Sequence, residues 1–309
     1  MDITFFISLM NSMLRMSMPL IFATTGEIVA ERAGVINIGM EGQMLLGAFS
    51  ALCITYATGS PLLGVLAAAL IAAASTLPLT ELGVKRKQDQ SVVGIMFNIM
   101  MAGLTSFLYR VFYGVSLTPP SVQTLPVLPI PLLSKIPILG STLFSQTVMG
   151  YVAILITVAT WYALSKTVLG MKLGAVGENP RAAQAAGISV ILTRRLSMLY
   201  AGFLGGLGGA FLTIAYAGRF TDSISAGRGY IALSIVIFGR WNPLLAMAGS
   251  LLFGVVDAFQ LRAQTMDLNI PYQFFVMLPY VVVLISILFV GRKTRAPKAL
   301  GVAFEREGR

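Results

Sequence analysis

Apolar residues run along the chain in long blocks, separated by short breaks of glycine, proline and charge. A bilayer core of about 30 Å needs about 20 apolar residues in helical form. On that measure the pattern predicts nine helical runs, at roughly 5–29, 40–57, 62–82, 92–113, 147–165, 193–217, 229–240, 243–262 and 271–291. The seventh is too short for a full crossing alone. The first does not read as a signal peptide: Asp2 makes its start acidic, Arg15 interrupts it and no basic segment precedes it. The expected fold is all-α and integral to a lipid bilayer.

Composition strengthens that expectation and removes other chemistries. Of the 309 residues 56% are apolar and 11% charged, with a mean hydropathy of +0.83, against roughly 25% charge in soluble domains. Without His there is no Ser-His-Asp triad, no Cys-His dyad and no imidazole metal ligand. Cys53, the single cysteine, lies in an apolar run and reads as a small hydrophobe. No GxxxxGK[ST] phosphate loop occurs, so ATP is not bound here by the Walker route. No enzymatic activity, metal or cofactor is expected.

The net charge of +10 falls in short basic clusters between apolar runs, a pattern of membrane topology rather than of nucleic-acid binding. If all nine runs cross, 16 of the 22 Lys and Arg share one side, among them Lys85, Arg86, Lys87, Arg194, Arg195, Arg292 and Lys293. Arg15, Arg110, Lys135, Arg219, Arg228 and Arg262 take the other. The positive-inside rule then puts the N-terminus outside and the C-terminus in the cytoplasm. The outer loop 114–146 holds Pro119, Pro120, Pro126, Pro129, Pro131 and Pro137, which forbid a regular helix and favour extended or turn structure.

Two segments look alike. Ala33-Gly34-Val35-Ile36-Asn37-Ile38-Gly39-Met40-Glu41-Gly42-Gln43 and Ser223-Ile224-Ser225-Ala226-Gly227-Arg228-Gly229-Tyr230 are glycine-punctuated breaks, each leading into an apolar run. They enter the bilayer from opposite sides, the mark of inverted repeats with discontinuous helices at the solute path. The division expected is a 4+1+4 arrangement: a first repeat at 1–113, the external loop 114–146, a linking helix 147–165, an inner loop 166–192, a second repeat 193–291 and a basic tail 292–309. In the inner loop Asn179 caps a short helix, Pro180 opens it, and Arg181 to Ala186 continue it until Gly187 stops it. Its alanine face is poor for lipid, which favours Leu, Phe and Trp, and suits docking into another protein.

The string from Gly34 to Met44 resembles the signature of permease subunits of bacterial ABC importers, in the nucleoside and simple-sugar group related to ribose and branched-chain amino-acid permeases. Gly177 to Gly187 is similar to that group's coupling loop. The resemblance covers essentially the whole chain and implies a type II importer-like fold in a bacterial inner membrane. It also implies a second, non-identical permease chain in the sense of a heterodimer, a cytoplasmic ABC ATPase and an external solute-binding protein. On it, Asn179, Pro180, Arg181, Ala182, Ala183, Ala186 and Gly187 are the expected ATPase contacts, with Ala183 on the docking face.

For the solute path the candidates are Asn37, Glu41, Asn98 and Arg228. Glu41 either lines the path or caps backbone N–H groups freed by the break. Arg228 is a path residue or an outer-surface charge, and Asn98 bonds a solute or a neighbouring helix. Gly202, Gly205, Gly206, Gly208 and Gly209 contain two GxxxG spacings, read as close helix packing. Asp257 and Arg262 are read as a structural or interfacial pair rather than as the proton relay a secondary transporter would need. The alternative to an ABC permease is a stand-alone secondary transporter, which needs a coupling-ion site.

Overall fold

The computed structural model describes residues 3–114, 120–131, 134, 139–264, 271–290 and 295–305. Pro119, Lys135, Pro137, Arg292, Lys293, Arg306 and Arg309 lie outside the described residues. Each predicted run contains a helix: α1 (Ile3–Arg32), α2 (Met40–Thr58), α3 (Pro61–Thr80), α4 (Gln90–Tyr113), α6 (Val148–Lys166), α9 (Val190–Ala210), α10 (Arg228–Phe238), α11 (Pro243–Ala263) and α12 (Tyr272–Val290). Short helices α5 (Leu139–Leu143), α7 (Val168–Glu178) and α8 (Pro180–Ala185) lie between them. α3 and α9 continue as wider π turns over Glu81–Lys85 and Phe211–Ala217.

Among the described residues five helical stretches are long and apolar enough to cross a membrane: Pro61–Lys85, Gln90–Tyr113, Val148–Lys166, Val190–Ala217 and Pro243–Ala263. α10, with 11 residues, is too short, as its run predicted. α1 is long enough, at 30 residues, but carries Arg15, Glu27 and Glu31. It tolerates them because protein surrounds it: nearly every side chain from Leu14 to Glu31 is buried, with Arg15 the exception. The outer helices have the opposite dress. Leu66, Ile99, Phe107, Leu155 and Phe274 are exposed, as lipid contact requires and water would not favour.

The proline-rich loop is extended, as expected, where strand β1 (Val127–Pro129) pairs antiparallel with β2 (Ser145–Thr147), Val127 opposite Thr147. One correction applies: the single helical turn of α5 forms beyond the last proline. The loop is also not a free connector. Val122 N–H donates to Gly218 O at 2.8 Å and Leu125 N–H to Ile214 O at 3.0 Å, tying it to the end of α9.

The packing exchanges partners between the two halves. α1, first helix of the first half, packs along α11, the third of the second; α9, first of the second half, packs along α3, the third of the first. α2 lies on α9 as α10 lies on α1, and α2 meets α4 as α10 meets α12. α3 and α11 both begin with proline in the first turn, after Ser60 and Asn242.

Small residues set how closely these helices approach. The spacing Gly202–Gly206 serves α3: a Cβ on Gly206 would sit 2.5 Å from Ala68 O and 2.7 Å from Ala72 Cβ. The interleaved Gly205–Gly209 serves α2, where a Cβ on Gly205 would meet Met40 and Gln43 and one on Gly209 would run into the Met44 carbonyl oxygen. One glycine-rich stripe thus holds two helices. Hydroxyls fasten others, with Thr25 to Thr157 at 2.9 Å and Thr160 to Tyr200 at 2.6 Å. Gly209→Ala is expected to force α2 off α9 and cost at least the ~1–3 kcal/mol of overpacking. Gly103→Ala, whose Cβ meets nothing within 4 Å, is expected to be neutral or slightly stabilising. Thermal melting of the two detergent-solubilised variants checks this; equal melting points would remove the close-packing argument.

Candidate functional site

The first break separates α1 from α2 at residues 33–39, where Gly34 adopts a φ of +84°. Its freed backbone groups are satisfied by side chains of α1 and α4. Gln90 Oε1 accepts from Ile36 N–H at 2.9 Å and Glu27 Oε1 from Asn37 N–H at 3.1 Å. Asn98 does two jobs: its Oδ1 accepts from Gly42 N–H at 2.8 Å, and its Nδ2 donates to Ile38 O at 2.8 Å. Asn37 and Gln43 hold each other through paired amides at 3.0 and 3.1 Å.

The second break precedes α10 and turns sharply through Ser223, Ala226 and Gly227, all at positive φ. No side chain of its own caps α10. Glu41 does so from the other half of the molecule. Its Oε1 accepts from Ser225 Oγ–H at 2.6 Å and Gly227 N–H at 2.8 Å, and its Oε2 accepts from Gly229 N–H at 2.7 Å. The carboxylate therefore sits between the N-terminal ends of α2 and α10, where two positive helix ends converge. Gly229 makes the approach possible, since a Cβ there would collide with the backbone N of Glu41 and lie 2.6 Å from its Cα.

The four path candidates are thus drawn into one polar knot. Glu41 caps, as one of its two readings proposed, but it caps the opposite half rather than its own helix. Asn98, at 6% exposure, binds backbone of the first break and also reaches Tyr230 of α10, donating to its hydroxyl at 2.9 Å. Asn37 is 1% exposed and spends its amide on Gln43. Arg228 is half-buried; its Nη2 lies 3.5 Å from Asp257 Oδ2. That pairing corrects the surface-charge reading of Arg228, and it gives Asp257 a partner other than Arg262, which donates to Ser8 Oγ.

Sequence reasoning passed over several members. Glu27 and Glu31 are 0% and 5% exposed; Glu31 accepts from the Trp241 indole N–H. The signal was present: two carboxylates four residues apart at the end of an apolar run, where an acid needs a reason. Gln90 and Tyr230 gave no such signal, being ordinary residues for a helix start.

The inner segment matches its prediction in outline. Asn179 Oδ1 accepts from Ala182 N–H at 3.1 Å, Pro180 opens α8, and Gly187 leaves it at φ +82°. Arg181, Ala182, Ala186 and Gly187 are exposed. Ala183 is a correction: it is 3% exposed and packs inward with Val176, Val190 and Phe304. The outward small face is carried by Ala182, Ala185 and Ala186 instead. Among the described residues no group of acids and cysteines is placed to hold a metal.

Residues 9–290 match the family model for the permease component of branched-chain amino acid transport systems. The chain belongs to this permease family. It is 40% identical over 303 residues to the nucleoside ABC transporter permease protein NupC of Lactococcus lactis subsp. cremoris, covering 95% of each. It is 34% identical to the guanosine ABC transporter permease protein NupQ of Bacillus subtilis, over 93% of this chain and 92% of that one. The glucose ABC transporter permease protein TsgB13 of Haloferax volcanii is 28% identical, over 78% and 66%. The same Lactococcus and Bacillus each supply a second, more distant nucleoside or guanosine permease match, NupB and NupP. No solved structure matches.

In this permease-family chain the Glu41 cap is expected to stabilise as well as to position. Glu41→Ala strands the Gly227 and Gly229 N–H groups, at about 1–3 kcal/mol for each that stays unsatisfied. Gly229→Ala attacks the same contact from the other side, so the double variant should cost less than the two singles combined. A double-mutant cycle of thermal melts in detergent checks this, and strict additivity would show that the two residues act separately.

Proposed function

We propose that this chain is the membrane-spanning permease subunit of an ABC importer for nucleoside-class solutes, driven by a separate ATPase. The observation that carries the reading is end-to-end similarity, 40% over 95% of both chains, to a permease named for nucleosides. A capped two-turn helix with an exposed alanine face, of the kind that docks into another protein, supports it. The absence of a phosphate loop in the sequence fits a subunit that borrows its energy.

The nine apolar helices are proposed to cross as a 4+1+4 inverted repeat, with α6 as the link. The exchange of packing partners, α1 with α11 and α9 with α3, supports this pseudo-symmetry. So do the two breaks, each followed by a helix whose N-terminus meets Glu41. The domain divisions at 113, 146, 165, 192 and 291 follow from the same reading. The solute path runs beside Glu41, Asn98 and Arg228, with Asn37 bracing the first break behind them. The N-terminus faces outside and α7, α8 and the C-terminus face the cytoplasm, on the basic-residue asymmetry. The second match in each of two bacteria supports a heterodimer of unlike permeases. An external solute-binding protein delivers the solute.

Two measurements test this. Vesicles holding the chain with its second permease, ATPase and binding protein are expected to accumulate labelled guanosine on addition of ATP. Ala182→Asp, on the exposed face of α8, is expected to insert normally yet cut ATPase co-purification and uptake at least tenfold. Normal ATP-independent uptake by the chain alone would replace the reading with a secondary transporter. For orientation, a variant lacking Cys53 and carrying Asp2→Cys should react with an impermeant maleimide from outside; reaction only from the cytoplasmic side would invert the topology.

A further inference from the structure

α8 does not stand alone. The C-terminal segment 295–305 crosses behind it as a strap. Phe304, 8% exposed, fills the apolar cluster that buries Ala183. Ala299 N–H donates to Gly177 O at 2.8 Å, and Gly301 N–H to Gly34 O at 3.2 Å. Arg194 completes the attachment. It is fully buried and donates to three backbone carbonyls: Nε to Ala33 O at 3.2 Å, Nη1 to Val302 O at 2.9 Å and Nη2 to Ala299 O at 3.4 Å. One guanidinium therefore binds both the strap and the first break. The outer edge of the strap carries exposed side chains, of which Glu305 pairs with Lys87 at 3.1 Å. Lys298, Val302, Ala303 and Glu305 are exposed, and they face Glu178, Asn179, Pro180 and Arg181 across a groove of about 450 Å³.

We infer that the strap is the second wall of the ATPase-docking surface, with α8 as the first. The inference rests on the ABC-permease reading above and extends it to residues that no motif marks. The groove opens beside the exposed Arg181 and Ala182, so a protein seated on α8 meets the strap as well. Its rim carries both signs, Glu178 and Glu305 with Arg181 and Lys298, around small apolar side chains. An acidic lipid surface or a nucleic acid would be matched by a single-sign basic rim instead. The wall is held by backbone bonds, and Val302 turns its carbonyl inward while the residue as a whole stays 53% exposed. Because Arg194 joins the strap to Ala33, a partner on the strap bears on the segment that leads into α2.

The test uses the full chain together with its second permease and a tagged Walker-motif ATPase of the same complex. Val302→Asp and Ala303→Asp change exposed side chains and leave the buried side unaltered, so melting temperatures should equal wild type. Both are expected to weaken ATPase capture at least tenfold and to lower ATP-driven uptake in step, as Ala182→Asp does. If Ala182→Asp loses the ATPase while both strap variants capture it and transport as wild type, the strap is outside the interface and the inference fails. If the wild-type complex captures no ATPase at all, the ABC reading itself fails and the inference with it.

Discussion

A helix that breaks inside a bilayer releases N–H and C=O groups that lipid cannot satisfy, and each must find a partner within the protein. This constraint organises the centre of the molecule. The first break is satisfied by Glu27, Gln90 and Asn98, which reach it from α1 and α4. The second is satisfied by Glu41, from the first turn of the helix that follows the first break. Two helix N-termini brought together would repel through their partial positive charges; a carboxylate between them turns the same geometry into an attraction. The two halves are thereby tied at the point where each is locally least regular.

A polar knot at the centre dictates the packing around it. α1, α2 and α9 are largely enclosed, while α4, α6 and α12 present Leu, Ile, Met and Phe outward and α4 turns Gln90 and Asn98 inward. Enclosure on all sides needs backbones to approach closely, since no hydrophobic drive draws apolar helices together in lipid. The glycine stripe of α9 supplies the space for α2 on one flank and α3 on the other. Thr and Ser hydroxyls then add specific bonds without the cost of a charge.

A second layer, formed by α7, α8 and the strap, uses a different device. It has one small apolar cluster, Val176, Ala183, Val190 and Phe304, and is further secured by backbone bonds from Ala299 and Gly301 and by Arg194 on backbone carbonyls. A buried arginine without a carboxylate partner is costly unless its donors are met. Here carbonyls of two separate segments meet them, so the side chain acts as a pin between the first break and the C-terminal strap.

The nine apolar runs were legible because span length follows directly from bilayer thickness, and each run holds a helix. The two breaks were legible because glycine punctuates an apolar run for few other reasons. The α8 cap was legible because Asn, Pro and Gly act locally, through backbone groups three or four residues away. The GxxxG spacings declared close packing but not their partners, which depend on how α2 and α3 cross α9. Ala183 read as a docking residue because its face cannot be known until Phe304, more than a hundred residues later, is seen to cover it. Arg194 counted as one more basic residue near a membrane surface, and Glu27 escaped notice beside Glu41. Local chemistry along the chain therefore determined which helices form, where they break and what family the chain resembles. The tertiary structure alone decided that the carboxylate of one break caps the other, that Arg228 pairs with Asp257 and that the C-terminal strap supports α8, because those bonds join residues the sequence separates by 29 to 188 positions.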